Sequence, residues 1–406
     1  MPDSTFLRRV VLKNYKSIAA CDVRLGPLQF LVGPNGSGKS NFLDALRFVT
    51  DSLRTTLDHA LRNRGGIKEV RRRSGGHPTH FGMRVEFVLR DDSQGHYAVR
   101  IGAVSPAGYE VQNEECCIQG PHGLSAPHFY RVRAGRVESS VETVPAAMAD
   151  RLYLVSASGL PEFRPAYDAL SRMGFYNINP DQVRELQQPD AGVILHRDGG
   201  NIASVLSVLA RNNERAKTRI EEYLRKVVPG VRGVEVKPVG PKETLEFRQE
   251  VAGSRDPWRF PAANMSDGTL RSLGVLVSLF QGPNGDGQRV PFVGIEEPEV
   301  ALHPAAAGVL LDGLREACLH TQVLVTSHSP DLLDDPKIPT ESILAVDAVG
   351  GTTRIAPLDE AGRSALQDRL YTPGELLRMN QLSPDPAAVP DPEGRQLRLF
   401  DEEPGA

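Results

Sequence analysis

The stretch Gly33-Pro-Asn-Gly-Ser-Gly-Lys-Ser40 narrows the possible folds of this chain more than any other. It follows the apolar run Leu28 to Val32, and after it Phe42, Leu43, Leu46, Phe48, Val49 and Leu53 recur at helical spacing. The order is therefore buried strand, glycine turn, helix. Glycines let the backbone bend around a phosphate, and the free N–H groups at a helix start favour anionic oxygens. In this spacing Gly33, Asn35, Gly36, Ser37, Gly38 and Asn41 shape the cradle. Lys39 supplies a fixed positive charge, and the Ser40 hydroxyl can ligate Mg²⁺.

A loop of this kind needs an acid on a second strand. The run Val290-Pro-Phe-Val-Gly-Ile-Glu-Glu297 is apolar until it ends on two carboxylates, and buried unpaired charge is expensive. A cation and a phosphate opposite them would explain the pair, with Glu296 holding Mg²⁺ through water and Glu297 orienting or deprotonating the attacking water. Asp91 and Asp92 are a poorer choice, because Arg90 interrupts their strand and a hairpin-like Ser-Gln-Gly-His follows.

The rest of the chain predicts an α/β protein with a mixed sheet, an antiparallel β subdomain and a helical insertion. Short alternating runs from Phe81 to about Val144 read as antiparallel strands. Helical text dominates from Leu152 to Pro229, and from Ser266 helix and strand alternate as in a parallel sheet. The expected divisions are 1–150, the N-terminal part of the nucleotide-binding head; 151–230, a helical arm or lid; 231–380, the C-terminal part of the head; and 381–406, a disordered tail. That tail holds five prolines and six acids.

The order of these motifs resembles the ABC-type ATPase heads of the SMC, RecF and overcoming-lysogenization-defect (OLD) group. Ser266-Asp-Gly-Thr-Leu-Arg271 stands just before the acidic strand, where that group carries a Ser-x-Gly signature at the start of a helix. The resemblance implies bound ATP and Mg²⁺, and a homodimer or higher even oligomer in which Ser266 and Gly268 of one copy close over the γ-phosphate held by the other. It also implies that His328, at the end of Val-Leu-Val-Thr-Ser-His, contacts the γ-phosphate. Glu297, His328 and Lys39 are then the catalytic set, and Ser40 and Glu296 the metal set. Lys16 in Asn-Tyr-Lys-Ser flanks the nucleotide, while Glu299 and His303 lie near the partner copy. Glu296 departs from the usual aspartate, which brings the pattern nearer to OLD-like ATPases. The text after His328 shows no acid-rich nuclease domain, so a nuclease effector would be a separate polypeptide. The insertion is too short for an SMC coiled coil, and the setting implied is anti-phage defence or DNA maintenance.

Two further stretches invite partners. Leu61 to Ser74 carries six Arg or Lys residues against one Glu, and Arg64, Arg71, Arg72 and Arg73 are candidate DNA contacts. Near the C-terminus Gln396, Leu397, Leu399 and Phe400 resemble the short peptide by which bacterial proteins bind the replication sliding clamp, or form a segment docked on its own protein. The net charge of −4 gives no overall bias toward polyanions. No run approaches the roughly 20 apolar residues of a membrane span, and a cytoplasmic setting is expected.

Overall fold

The computed structural model describes residues 5–74, 78–104, 108–123, 126–282, 290–391 and 397–401. The chain forms two compact units. One comprises Thr5–Met173, Pro339–Leu370 and the chain from Asn380; the other comprises Gly174–Ile338 and Tyr371–Met379.

In the first unit, antiparallel strands run in the spatial order Arg136–Ser139, His128–Arg133, Gly108–Gln119, Gln94–Val104, His80–Val88, Leu7–Tyr15 and Ile18–Arg24. The direction then changes. Thr352–Pro357 lies parallel to Ile18–Arg24 and antiparallel to Ile343–Val349, which lies parallel to Leu28–Val32. The mixed sheet and antiparallel subdomain expected from alternation are both present. Asp91 closes a hairpin by accepting from the Ser93 amide and hydroxyl, so it is turn chemistry rather than a metal ligand.

The glycine loop is followed by the helix Lys39–Arg54, whose apolar face is fully buried. Phe48 from this helix meets Tyr15 and Phe81 edge to face, with ring centroids 5.5 to 6.2 Å apart. Such contacts fix the helix over the sheet. On its other side lies the helix Arg164–Ser171: Thr50 donates to the Leu170 carbonyl at 3.0 Å and the Arg54 guanidinium to those of Ser171 and Met173. Residues 164–173 therefore pack on the phosphate-loop helix, while the Tyr153 and Leu154 amides donate to Glu114 of the antiparallel strands.

In the second unit, Gly174–Tyr176, Phe292–Glu296 and Gln322–Ser327 are parallel neighbours. A separate antiparallel sheet consists of Val231–Val239, Lys242–Gln249 and Trp258–Pro261. The helices Ile202–Asn212, Glu214–Val227, Asp267–Phe280 and Pro304–Ala317 belong to this unit. Among the described residues no helix is long and apolar enough to cross a membrane.

The tail departs from the expected disorder. Leu397, Leu399 and Phe400 are buried with Val11, Ala20 and Ala98. Arg84 donates to the Leu399 carbonyl and pairs with Asp401, while the Arg100 guanidinium lies 5.2 Å from the Phe400 ring centre. The segment thus docks on its own chain, and its apolar side chains are not displayed to a clamp; Gln396 lies outside the described residues. Burial of three large side chains offsets the ordering cost that proline and acid content alone would leave uncompensated.

Candidate functional site

The phosphate loop is held by two close approaches that only glycine permits. A Cβ on Gly33 would lie 1.9 Å from the Val346 carbonyl oxygen, and one on Gly38 would lie 2.0 Å from Thr353 Oγ1. Gly38 also has φ +103°, and Gly36 has φ +77°. The helix starts at Lys39 with no acid in its first turn, so its N-terminal amides keep their attraction for anions. Lys39 is buried and its ammonium curls over the loop, donating to the carbonyls of Gly33 and Pro34 at 2.7 and 3.0 Å. Ser40 and Asn35 are exposed. The buried Ser37 hydroxyl has no partner among the described residues. An orphaned hydroxyl, a backbone cradle closed to any Cβ and an adjacent ammonium together fit a polyphosphate, and the exposed Ser40 hydroxyl fits its metal.

Thr353 is a residue that motif reading misses. Its hydroxyl donates to the Ser37 carbonyl at 2.8 Å, so the 2.7 Å contact with Ser17 Oγ must be a bond donated by Ser17. Asn41 Nδ2 in turn donates to Ser17 Oγ at 2.7 Å. A relay from Asn41 through Ser17 and Thr353 therefore ends on the loop backbone. Asn41 supports the loop from within this relay.

The basic stretch is largely structural. Asp44, buried on the phosphate-loop helix, accepts from Arg64 at 3.0 and 3.1 Å, Arg47 at 2.5 Å and the Tyr15 hydroxyl at 2.8 Å, and pairs with Lys16 at 2.6 Å. Burial alone would push this carboxyl up; Arg64, Arg47 and Lys16 together hold it well below the usual range. Arg64 is almost wholly buried, Arg71 donates to the Pro78 carbonyl, and Arg72 donates to Thr352. These three are corrected from DNA candidates to internal ties, because each guanidinium is already engaged by main-chain or side-chain oxygens. Arg73 alone of the four is well exposed, beside Glu69. Lys16 is likewise committed to Asp44.

In the other unit, the tips of two adjacent parallel strands bring Glu296, Glu297 and His328 together. Glu296 is in register with Thr326. Glu297 takes φ +44° and donates its amide to the Thr326 carbonyl at 3.0 Å. A left-handed turn at a residue with a Cβ costs roughly 1–2 kcal/mol. Such strain persists where a side chain has to be aimed. His328 Nδ1 lies 3.0 Å from Glu297 Oε1, close enough for an ion pair but without hydrogen-bond alignment. Glu296 accepts from Arg197 at 2.7 Å.

Behind these acids, Glu299 is buried, accepts from Ser327 at 2.6 Å, and has its other oxygen unpartnered among the described residues. Burial raises its carboxyl above the ordinary value, opposed by the Ser327 bond. Glu299 therefore faces inward within its own chain, whereas His303 is exposed. Burial lowers the Arg271 guanidinium while Glu297, Glu299 and Asp267 counter it. Ser266 caps the helix Asp267–Phe280, accepting from the Thr269 amide at 3.3 Å. Gly268 has a local reason to be glycine, since a Cβ would meet the Ala301 carbonyl oxygen at 2.5 Å.

A second group of ligand-type atoms, from His96, Glu115 and Asp401, lies within 4.8 Å. Arg84 already pairs with both carboxylates, which supplies the positive charge there.

A family described as "AAA domain, putative AbiEii toxin, Type IV TA system" matches residues 28–103 and 152–334, more than half of the chain. The chain belongs to this family. Its fold is the mixed-sheet α/β fold of SMC-type ABC ATPase heads: an Smc head bound to the C-winged helix domain of ScpA aligns over 88% of this chain and 99% of that one, with TM-score 0.53 and 15% identity. An Smc head with an extended coiled coil, bound to the C-terminal domain of ScpA derived from Pyrococcus furiosus, aligns over 90% and 99%, with TM-score 0.53 and 11% identity. By sequence, the structural maintenance of chromosomes protein 1 of Schizosaccharomyces pombe is 25% identical over 53% of this chain and 18% of its own length. The DNA replication and repair protein RecF of Vibrio vulnificus is 46% identical over 10% of this chain and 11% of its own length. The matched part is thus less than a fifth of either relative.

Proposed function

We propose that this chain is a Mg²⁺-dependent ATPase whose copies close head to tail on bound nucleotide and thereby control a partner. Support comes first from Glu297 and His328, which meet at the tips of neighbouring strands with Glu297 held in a strained backbone conformation. A water attacking a terminal phosphate needs a carboxylate to orient it and take its proton, and a polar group to meet the charge that develops. Glu297 fits the first task and His328 the second. Gly33, Asn35, Gly36, Ser37, Gly38 and Lys39 hold the phosphates, and Ser40 and Glu296 the metal. Bound Mg²⁺ would offset phosphate charge and orient the terminal group.

In the closed assembly Ser266 and Gly268 of one copy face the nucleotide of the other. ATP can favour association only through contacts made in that state, and the Asp267 and Gly268 amides, ahead of the Thr269 amide that Ser266 caps, offer such contacts. The family description, a type IV toxin–antitoxin system, favours a defence setting in which a separately encoded partner, a nuclease in the OLD-like reading, is controlled by the cycle. The two Smc heads of similar fold are bound to ScpA domains, which makes a protein partner the natural client. A RecF-like role on DNA is the second reading, favoured by the local RecF similarity; the internal bonds of Arg64, Arg71 and Arg72 weigh against the 61–74 stretch as its surface. Phosphate release by wild type and Lys39→Ala tests the reading. Turnover that needs Mg²⁺ and disappears with nucleotide binding in Lys39→Ala supports it; unchanged binding in that variant refutes it.

A further inference from the structure

Arg197 has no role in the reading above, yet it contacts the proposed metal ligand. Its Nη2 donates to Glu296 Oε1 at 2.7 Å. The pairing is built into the backbone. The Arg197 carbonyl accepts from the Asn177 amide at 2.9 Å and that of Asp198 from the Asn179 amide at 3.0 Å, which ties the turn to the end of Gly174–Tyr176. That strand is the parallel neighbour of Phe292–Glu296, with Tyr176 opposite Ile295. Gly199, at φ +86°, closes the turn on the His196 carbonyl, and the His196 amide is held by Asn201 Oδ1 at 2.7 Å. The backbone is thus anchored next to the acid.

The side chain is not anchored in the same way. Arg197 is 47% exposed and reaches Glu296 through one nitrogen, whereas the Glu296 side chain is only 18% exposed. The neighbouring acids have other partners: His328 Nδ1 stands against Glu297, and the Ser327 hydroxyl donates to Glu299. Glutamate at position 296 has one methylene more than aspartate, which gives its carboxylate the lateral reach to meet a guanidinium. A guanidinium cannot relieve crowding by losing its proton, so a divalent cation arriving at the same carboxylate must displace it or suffer its repulsion.

Resting on the assignment of Glu296 as a metal ligand, we propose that Arg197 is its resident counter-cation and competes with Mg²⁺, setting how much Mg²⁺ the chain needs. Release of Arg197 into solvent accompanies metal entry. Glu296 then passes from one positive partner to another without being left bare at the strand tip.

The test is Mn²⁺ binding followed by electron paramagnetic resonance, without nucleotide, for wild type, Arg197→Gln, Arg197→Lys and Glu296→Gln. Arg197→Gln should bind Mn²⁺ about two- to five-fold more tightly, the range expected for loss of a half-exposed competing ion pair. Arg197→Lys should stay near wild type, and Glu296→Gln should bind weakly. Equal or weaker binding by Arg197→Gln overturns the proposal. A parallel titration of fluorescent ATP-analogue binding with Mg²⁺ should show the same fall in the half-saturating concentration. If Arg197→Gln instead loses turnover at saturating Mg²⁺ with an unchanged metal requirement, Arg197 acts on phosphate and the proposal fails. If wild type binds no nucleotide, the ATPase reading fails, while the Mn²⁺ comparison still decides the role of Arg197.

Discussion

Asp44→Asn removes the negative centre of the cation cluster beneath the phosphate-loop helix. Its side chain is 8% exposed and that of Arg64 3%, so the charges it would leave behind are poorly solvated. Arg64 would keep Asp51 at 2.9 Å and the Ala60 carbonyl at 3.0 Å, while Lys16 and Arg47 could turn toward solvent. The asparagine amide would also point donors at donors. Removing one member of a buried pair typically costs about 3–5 kcal/mol, and the partial rescue by Asp51 places this case near the lower end. Hydrogen exchange of the amides of Lys39–Arg54 reads that loss locally: about 3 kcal/mol corresponds to opening at least about 100-fold more frequent. Exchange changed by less than about five-fold, roughly 1 kcal/mol, would refute the view that this cluster fastens the helix. Arg73→Ala is the control; its exposed pair with Glu69 predicts a change within about 0.5 kcal/mol. The carboxyl of Asp44 is lowered in the folded chain, so its contribution is present above the unfolded value near 4 and is lost as pH falls.

Thr353→Val keeps the bulk beside Gly38 but leaves the Ser37 carbonyl without its donor and the Ser17 hydroxyl without its acceptor, at a cost of about 1–3 kcal/mol. Nucleotide affinity should fall roughly ten-fold, and Thr353→Ser should restore most of it; equal affinity in all three proteins would remove Thr353 from the support of the loop. Burial pushes the Glu114 carboxyl up to about 7 against four bonds donated by Tyr153, Leu154, Tyr130 and Tyr97. A raised carboxyl stabilises most below its unfolded value near 4.5, and this contribution is lost as pH rises through about 7. Melting curves from pH 5 to 8 should therefore show stability declining toward pH 8 in wild type and less so in Glu114→Ala, with identical slopes counting against it.

The loop and the acidic strand were legible because each is local: one run of adjacent residues sets the strand end, the turn and the helix start. The helix start at Ser266 was legible for the same reason, while its capping bond to the Thr269 amide was not part of that reading. Thr353 was not, since it acts on Ser17 and Ser37 from a distant strand whose own text, Thr352 to Pro357, carries no motif. Arg64, Arg71 and Arg72 read as DNA contacts because charge counts do not reveal the oxygens that face each guanidinium. Acid and proline content left the docking of Leu397, Leu399 and Phe400 as one of two alternatives, which three apolar side chains and Arg84 decide. The signature glycine shows a further limit: contact with Ala301 already requires Gly268, so its identity alone does not argue for contact with a second copy.

The central claim is that Glu297 drives hydrolysis in an assembly held together by Mg·ATP. Its most direct test is the solution mass of wild type and Glu297→Gln, with and without Mg·ATP, with phosphate release followed in the same samples. Glu297→Gln should retain nucleotide, lose turnover and shift to a doubled mass with Mg·ATP. Normal turnover by Glu297→Gln, with a mass indifferent to nucleotide, would contradict that claim.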